Sequence, residues 1–265
     1  MEDRLIILIA SFIAAFGEKL DNVKKMQPYI VGGDYAVIEN VPYSAYIGVQ
    51  CSYTTEQRQS VWICSGSILN QDVILTAGHC LYPCSKKSNI TVSVGHIHLL
   101  KGFQSSVHSF VINKLYNDDS AANDVGLMRL LTSLKFSPKV NRVAVMSDPP
   151  YGAEAIVTGW GLIDETTRET TEVLKYTRQH VFSKYKCRQA LDSLPDGTIC
   201  AQHSHGYAAL GDSGGPLVVQ GYIQIGIVSY KVSKLSKNLV VYTDVGTFYN
   251  WIEKYARKLM KCLKS

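Results

Sequence analysis

Three short stretches carry residue types that together support nucleophilic catalysis. They are Leu75-Thr-Ala-Gly-His79-Cys80, Asn123-Asp124-Val-Gly-Leu127 and Gly211-Asp212-Ser213-Gly214-Gly215-Pro216, in that order along the chain. A serine hydroxyl is a poor nucleophile near neutral pH until a neighbouring imidazole accepts its proton during attack. His79 is the candidate base and Ser213 the candidate nucleophile. Asp124 is the carboxylate that would hold the useful imidazole tautomer and stabilise the imidazolium as it forms. A lone histidine or aspartate is usually structural or solvated; three such motifs in fixed order, each with its own flanks, are not.

Those residues need a framework, and the composition supplies one. The chain has 265 residues, of which 46% are apolar and 18% charged, so disorder, collagen-like repetition and coiled coil are excluded. The formal charge of +5 arises from 27 basic against 22 acidic residues dispersed along the chain, so no nucleic-acid partner is expected. The longest apolar run, Leu5 to Phe16, is twelve residues, short of the roughly 18–20 that cross a bilayer, so no membrane span is expected. A polar start over Met1 to Arg4 and the small-residue site Ala15-Phe16-Gly17 make 1–17 a candidate secretory signal peptide. A buried amino-terminal strand is the other reading, because Glu2 and Asp3 dilute the positive charge of a leader. Seven cysteines without a C-x-x-C pair agree with a secreted, disulfide-bonded protein and argue against zinc.

From Ile30 to about Thr243, short apolar stretches such as Val73-Ile74-Leu75, Ile90 to Val94, Ala155 to Thr158 and Ile223 to Val228 are separated by turn residues. This rhythm predicts an all-β sandwich or barrel pair with almost no helix. At the carboxy terminus Phe248, Trp251, Ile252, Tyr255 and Leu259 recur at helical spacing and predict a docked amphipathic helix. Its other side carries Lys254, Arg257, Lys258, Lys261 and Lys264, a solvated face or a contact for a membrane surface or acidic partner. Asn89-Ile90-Thr91 is a glycosylation acceptor expected on a surface loop, and 231–239 reads as a polar cationic loop.

From Ile30 to Ser265 the chain resembles the chymotrypsin-like serine proteases. The resemblance implies two antiparallel six-stranded β-barrels with a C-terminal α-helix, residues 30–265 forming the protease domain with its active site between the barrels, and no cofactor or metal. It makes the backbone amides of Gly211 and Ser213 an oxyanion hole. Ile30-Val31-Gly32-Gly33 resembles the amino terminus freed on activation of a proenzyme. That places a propeptide at 18–29, a cut after Tyr29 by another protease, and an ion pair between the new ammonium and Asp212. Gly159-Trp160-Gly161 and Ser229-Tyr230 match further family landmarks. By position Cys64 pairs with Cys80, and Cys187 with Cys200. Cys51, Cys84 and Cys262 have no family partner, and a Cys51–Cys84 bridge with Cys262 free is one arrangement.

The departures gather at the primary specificity pocket, formed in the family by the segment before the nucleophile and the strands around Ser229. The pocket base, six residues before Ser213, is Tyr207, followed by Ala208. Ala209 replaces a cysteine, and its partner in the 231–239 loop is also missing. Lys231 and Val240 stand where the walls carry glycine. A different gap placement brings His205 or Ser204 to the base instead. Val41-Pro42-Tyr43 and the segment Val245 to Glu253 also resemble the group 3 allergen proteases of mites, and the remodelled pocket resembles their inactivated scabies-mite paralogues, although the triad residues are all present here. Two expectations follow: a secreted decoy that binds protein or peptide ligands, host proteins among them, with little or no hydrolysis; or an active endopeptidase of non-tryptic specificity. A membrane-surface protein using its basic terminal helix is a third.

Overall fold

The computed structural model describes residues 33–53, 59–151, 154–164, 167, 169–191, 194–202, 211–231 and 238–261. A two-residue strand, β1 (Asp34–Tyr35), precedes a closed barrel built from β2 (Ser44–Ser52), β3 (Gln59–Ile68), β4 (Val73–Thr76), β5 (Asn89–Val94), β6 (Phe103–Ile112) and β7 (Gly126–Leu130). The ring runs β2-β3-β4-β7-β6-β5, and β5 returns to β2. In β2 the buried residues Ala45, Ile47, Val49 and Cys51 alternate with less buried neighbours, the period of two that turns one strand face into a core. The four residues of β4 are all buried, because this strand passes beneath the terminal helix as well as lining the barrel.

The second barrel uses β9 (Glu154–Gly159), β12 (Lys175–Val181), β13 (Thr198–Gln202), β14 (Pro216–Val219), β15 (Ile223–Lys231) and β16 (Leu239–Asp244), and it closes through the β9–β12 pairing. A short parallel strand, β8 (Ala144–Val145), lies beside β15, and β10 (Leu162–Asp164) with β11 (Glu169–Thr170) forms a small hairpin outside the ring. The fold is therefore the chymotrypsin-like pair of six-stranded antiparallel barrels.

Each end of the chain is secured to the other half of the molecule. β1 leads into the first barrel but pairs with β12 of the second, where the Lys175 ammonium sits 3.8 Å above the Tyr35 ring. Conversely, the terminal helix α2 (Val245–Lys261) leaves the second barrel and buries Val245, Phe248, Ile252 and Ala256 in the core of the first. Asp244 caps it: its carboxylate accepts from the Gly246 amide at 3.1 Å and Thr247 Oγ1 at 2.8 Å, and also binds the Tyr151 hydroxyl and Lys184. The helix thus begins three residues before the apolar repeat starts at Phe248.

The expectation of almost no other helix needs one correction. Helix α1 (Lys184–Ala190) is short, capped by Ser183, and buries only Cys187, so it carries no apolar periodicity to read. A second correction concerns Asn89, which is exposed but opens strand β5 instead of lying in a loop; its Nδ2 donates to Gln50 Oε1 at 3.4 Å. Among the described residues three disulfides are present: Cys64–Cys80, Cys187–Cys200 and Cys51–Cys84. Among the described residues no helix is long and apolar enough to cross a membrane.

Because Ile252 fills the contact between α2 and the first barrel, Ile252→Ala should lower unfolding free energy by about 2–5 kcal/mol. Denaturant unfolding with the disulfides intact measures this. A loss below about 1 kcal/mol would mean that the helix face can be trimmed without leaving a cavity.

Candidate active site

Asp124 lies at the end of the β6–β7 connection, held there by an unusual neighbour. Asn123 adopts φ 56°, a left-handed conformation that asparagine tolerates, and its Nδ2 donates to Leu115 O at 3.0 Å. The Asp124 side chain consequently points into the contact between barrels and is 1% exposed. Its Oδ1 accepts from the His79 amide at 2.8 Å; its Oδ2 accepts from His79 Nδ1 at 2.8 Å and from Ser229 Oγ at 2.5 Å. Thr243 Oγ1 donates to the Asp124 carbonyl at 2.7 Å. Burial alone would raise this carboxyl, but the His79 and Ser229 hydrogen bonds and the charge attraction to His79 outweigh it and hold the group below its ordinary value. An ionised Asp124 is acceptor-only, so Nδ1 carries a proton, and in the neutral ring Nε2 is left as the acceptor.

Ser213 sits on a turn that only glycines can close. Gly211 and Gly214 take φ 99° and φ 79°. A Cβ at Gly214 would lie 2.1 Å from Thr76 Oγ1 and 2.5 Å from Ser65 O, so the turn rests directly on the first barrel. There the Ser65 amide donates to Ser213 O at 2.8 Å, and Ser65 Oγ donates to Gly211 O at 3.2 Å. On the other side the Gly214 amide donates to Val228 O at 2.8 Å. The Cys80 sulfur is 3.5 Å from Ser213 O and 3.9 Å from His79 Nε2, a van der Waals contact, since a disulfide sulfur has no hydrogen to donate. Cys64 and Cys80 approach His79 closely, but their sulfurs are bonded to each other and offer no thiolate to a metal.

His79, Gly211 and Ser213 share the wall of one cavity of about 670 Å³ with Trp62, Tyr82 and Leu162. Asp212, next to Ser213, is buried, and its Oδ1 accepts from the Gly161 amide at 2.8 Å. A Cβ on Gly159 would fall 1.9 Å from that oxygen, which explains one glycine of Gly159-Trp160-Gly161. Trp160 between them is buried, with Nε1 donating to Ile97 O at 2.8 Å. Burial and the nearby Asp212 charge push the Tyr242 phenol up.

Of the other residues singled out in the sequence, Ser229 is buried and is also the third donor to Asp124, a link that its motif did not reveal. Tyr230 packs against the Cys187, Cys200 and Leu239 cluster. Lys231 ends β15 opposite Val240, and Val240 is 1% exposed among Ala201, Val228 and Tyr242. Tyr207, Ala208, Ala209, Tyr29, Ile30 and Cys262 lie outside the described residues, as do the proposed leader, the propeptide and the interior of the 231–239 loop. Trp62, Tyr82, Pro83 and Leu162 had no motif to announce them, because the fold gathers them from positions a hundred residues apart.

Two closed barrels with Asp124 buried between them, and His79 and Ser213 facing one cavity, define a chymotrypsin-like architecture. A family model, Trypsin, matches residues 30–252, and the chain belongs to the trypsin family. It is 29% identical to trypsin alpha of Drosophila erecta over 265 aligned positions, covering 97% of this chain and 99% of that protein. It is likewise 29% identical to a chymotrypsin of Phaedon cochleariae, covering 86% of this chain and 82% of that one. Among solved structures, HL collagenase superposes with TM-score 0.73 at 25% identity over 85% of this chain and 98% of that one. Two scabies mite inactivated protease paralogues also match: S-D1 at TM-score 0.74, 22% identity and 86% and 97% coverage, and S-I1 at 0.70, 25% identity and 86% and 99%.

The depressed Asp124 carboxyl fixes the sign of a pH effect. Its stabilising contribution is complete above the unfolded-state carboxyl pKa and is lost as pH falls through the folded value. Ser229→Ala removes one donor, raises that folded value, and should move the acid-unfolding midpoint to higher pH, with a cost near neutrality of about 1–3 kcal/mol. Circular dichroism during acid titration measures both; an unmoved midpoint would mean that Ser229 does not stabilise the carboxylate.

Proposed function

We propose that this is a secreted serine protease homologue whose acyl-transfer machinery is intact while its primary specificity pocket is closed, so that it binds protein or peptide ligands with weak or absent hydrolysis. In this reading Ser213 Oγ attacks a carbonyl carbon, His79 Nε2 takes its proton, and Asp124 holds Nδ1–H and stabilises the imidazolium. The amides of Gly211 and Ser213 receive the developing oxyanion. The leader 1–17 is removed on secretion, 18–29 is a propeptide, and another protease cuts after Tyr29, freeing Ile30 to pair with Asp212.

The observation that carries the closure is Val240. Where family members keep a bare pocket wall, this valine is packed into the apolar cluster of the second barrel. The Tyr207 and Ala209 substitutions, with loss of the neighbouring disulfide, agree with it, and so does the likeness to inactivated protease paralogues. One observation favours the second reading, an active endopeptidase of altered preference: Asp124 accepts from both His79 Nδ1 and Ser229 Oγ, which orients the imidazole with Nε2 left as the acceptor.

The two readings part in a paired experiment on protein beginning at Ile30. A small phosphonofluoridate, which needs the triad but little pocket, should label Ser213, and Ser213→Ala should abolish labelling. A mixed peptide library should remain essentially uncut. Ser213-dependent cleavage at a rate within about tenfold of an ordinary family member would sink the closure and make Tyr207 a specificity residue.

A further inference from the structure

The seam between β5 and β6 is closed over only part of its length. Residues 91–94 pair with 103–106, and a register irregularity between Val107 and Ser109 then carries β6 onward along β7. Asn89 and Ile90 stay paired with β2, against Gln50 and Val49. Between the start of β5 and the later half of β6 the wall of the first barrel therefore parts, and a cavity of about 540 Å³ occupies the gap. Segment 84–88 borders it and is tied to the end of β2. Cys84 is bridged to Cys51, the Ser85 amide donates to Ser52 O at 2.9 Å, and Ser88 Oγ accepts from the Ser52 amide at 2.9 Å. A concave site built in advance on strands and a disulfide receives a ligand at low ordering cost.

The lining has two characters. Ile90 is buried and Val107 and Phe110 are half-buried, so an apolar body sheds water on entering. The polar groups beside them are Lys86, His108 and serine hydroxyls. Ser85 Oγ accepts from the Lys87 amide at 3.3 Å, which leaves its own hydrogen to donate, and Ser109 Oγ lies 3.3 Å from His108 Nδ1. Neither 84–91 nor 103–112 contains an acidic residue, and among the described residues Lys86 makes no ion pair. An ammonium and hydroxyl donors without a carboxylate, set against apolar surface, complement a ligand that is anionic at one end and apolar at the other. We propose that this cavity binds a small organic carboxylate with an aromatic or branched apolar body. Its carboxylate accepts from Lys86 and Ser85, and its body lies against Ile90, Val107 and Phe110. The site shares no lining residue with the cavity of His79 and Ser213, so it does not rest on acyl transfer.

The test compares two probes of one shape and different charge, 3-phenylpropionate and 3-phenylpropanamide, by isothermal titration into the full chain with its disulfides intact. The carboxylate should bind saturably at a single site, and the amide about tenfold more weakly or worse. Lys86→Gln, a change at an exposed position that leaves the fold alone, should weaken the carboxylate by about tenfold and leave the amide unchanged. Val107→Asp should weaken both. Protein carrying Ser213→Ala should bind the carboxylate as the wild type does, which keeps the result separate from the fate of the acyl-transfer reading. Photo-crosslinking with 4-benzoylbenzoate locates the site: label should fall within 84–90 or 107–110 and be suppressed by excess 3-phenylpropionate. Equal affinity for acid and amide, no saturable binding at millimolar concentration, an unchanged affinity in Lys86→Gln, or label confined to the cavity of His79 would each overturn the proposal.

Discussion

A carboxylate buried at the contact between two barrels constrains everything around it. Removing Asp124 from water costs several kcal/mol unless its lone pairs are filled, and no single barrel fills them. The first barrel contributes the carboxylate and both His79 donors; the second contributes Ser229 Oγ, and Thr243 for the main-chain carbonyl. Docking the barrels a few tenths of an ångström apart would leave a buried charge short of a partner. The geometry that fixes the imidazole is therefore the same geometry that fixes the relative position of the two halves.

The nucleophile turn obeys a matching constraint. Ser213 belongs to the second half of the sequence, yet its carbonyl is held by Ser65, and the glycine after it is pressed onto Thr76. Its other flank is tied to Val228. Neither barrel alone could hold Ser213 on the cavity that it shares with His79. The crossed ends strengthen the arrangement, with β1 paired to the second barrel and α2 buried against the first, so that separating the barrels also breaks a strand pairing and exposes an apolar contact.

These constraints explain what was legible in the sequence. Strands such as Val73-Ile74-Leu75 and Ile223 to Val228 announced themselves as short apolar stretches between turn residues, since both of their faces are buried, and the motifs around His79, Asp124 and Ser213 stood out by their flanks. The Cys51–Cys84 bridge could be named only as one arrangement, since a pairing depends on where β2 and the segment after His79 meet in space. Helix α1 was invisible because one buried cysteine gives no pattern. Ser229 read as a pocket residue, and its hydrogen bond to Asp124 emerges only when β15 is laid beside the β6–β7 connection. The apolar cavity is the extreme case: Val61, Tyr82 and Leu162 are ordinary residues until the fold brings them together.

The cavity beside His79 and the His79–Asp124 pair are physically coupled through the Cys64–Cys80 bridge. That bridge fixes the residue following His79 to β3, and β3 also carries Val61, Trp62 and Ile63. An apolar side chain seated there would displace water from one face of the imidazole. In the drier site the His79–Asp124 hydrogen bond and any oxyanion contact at Gly211 strengthen, because their charges are less screened. Ligand binding on this side would thus tighten the machinery without touching the primary pocket.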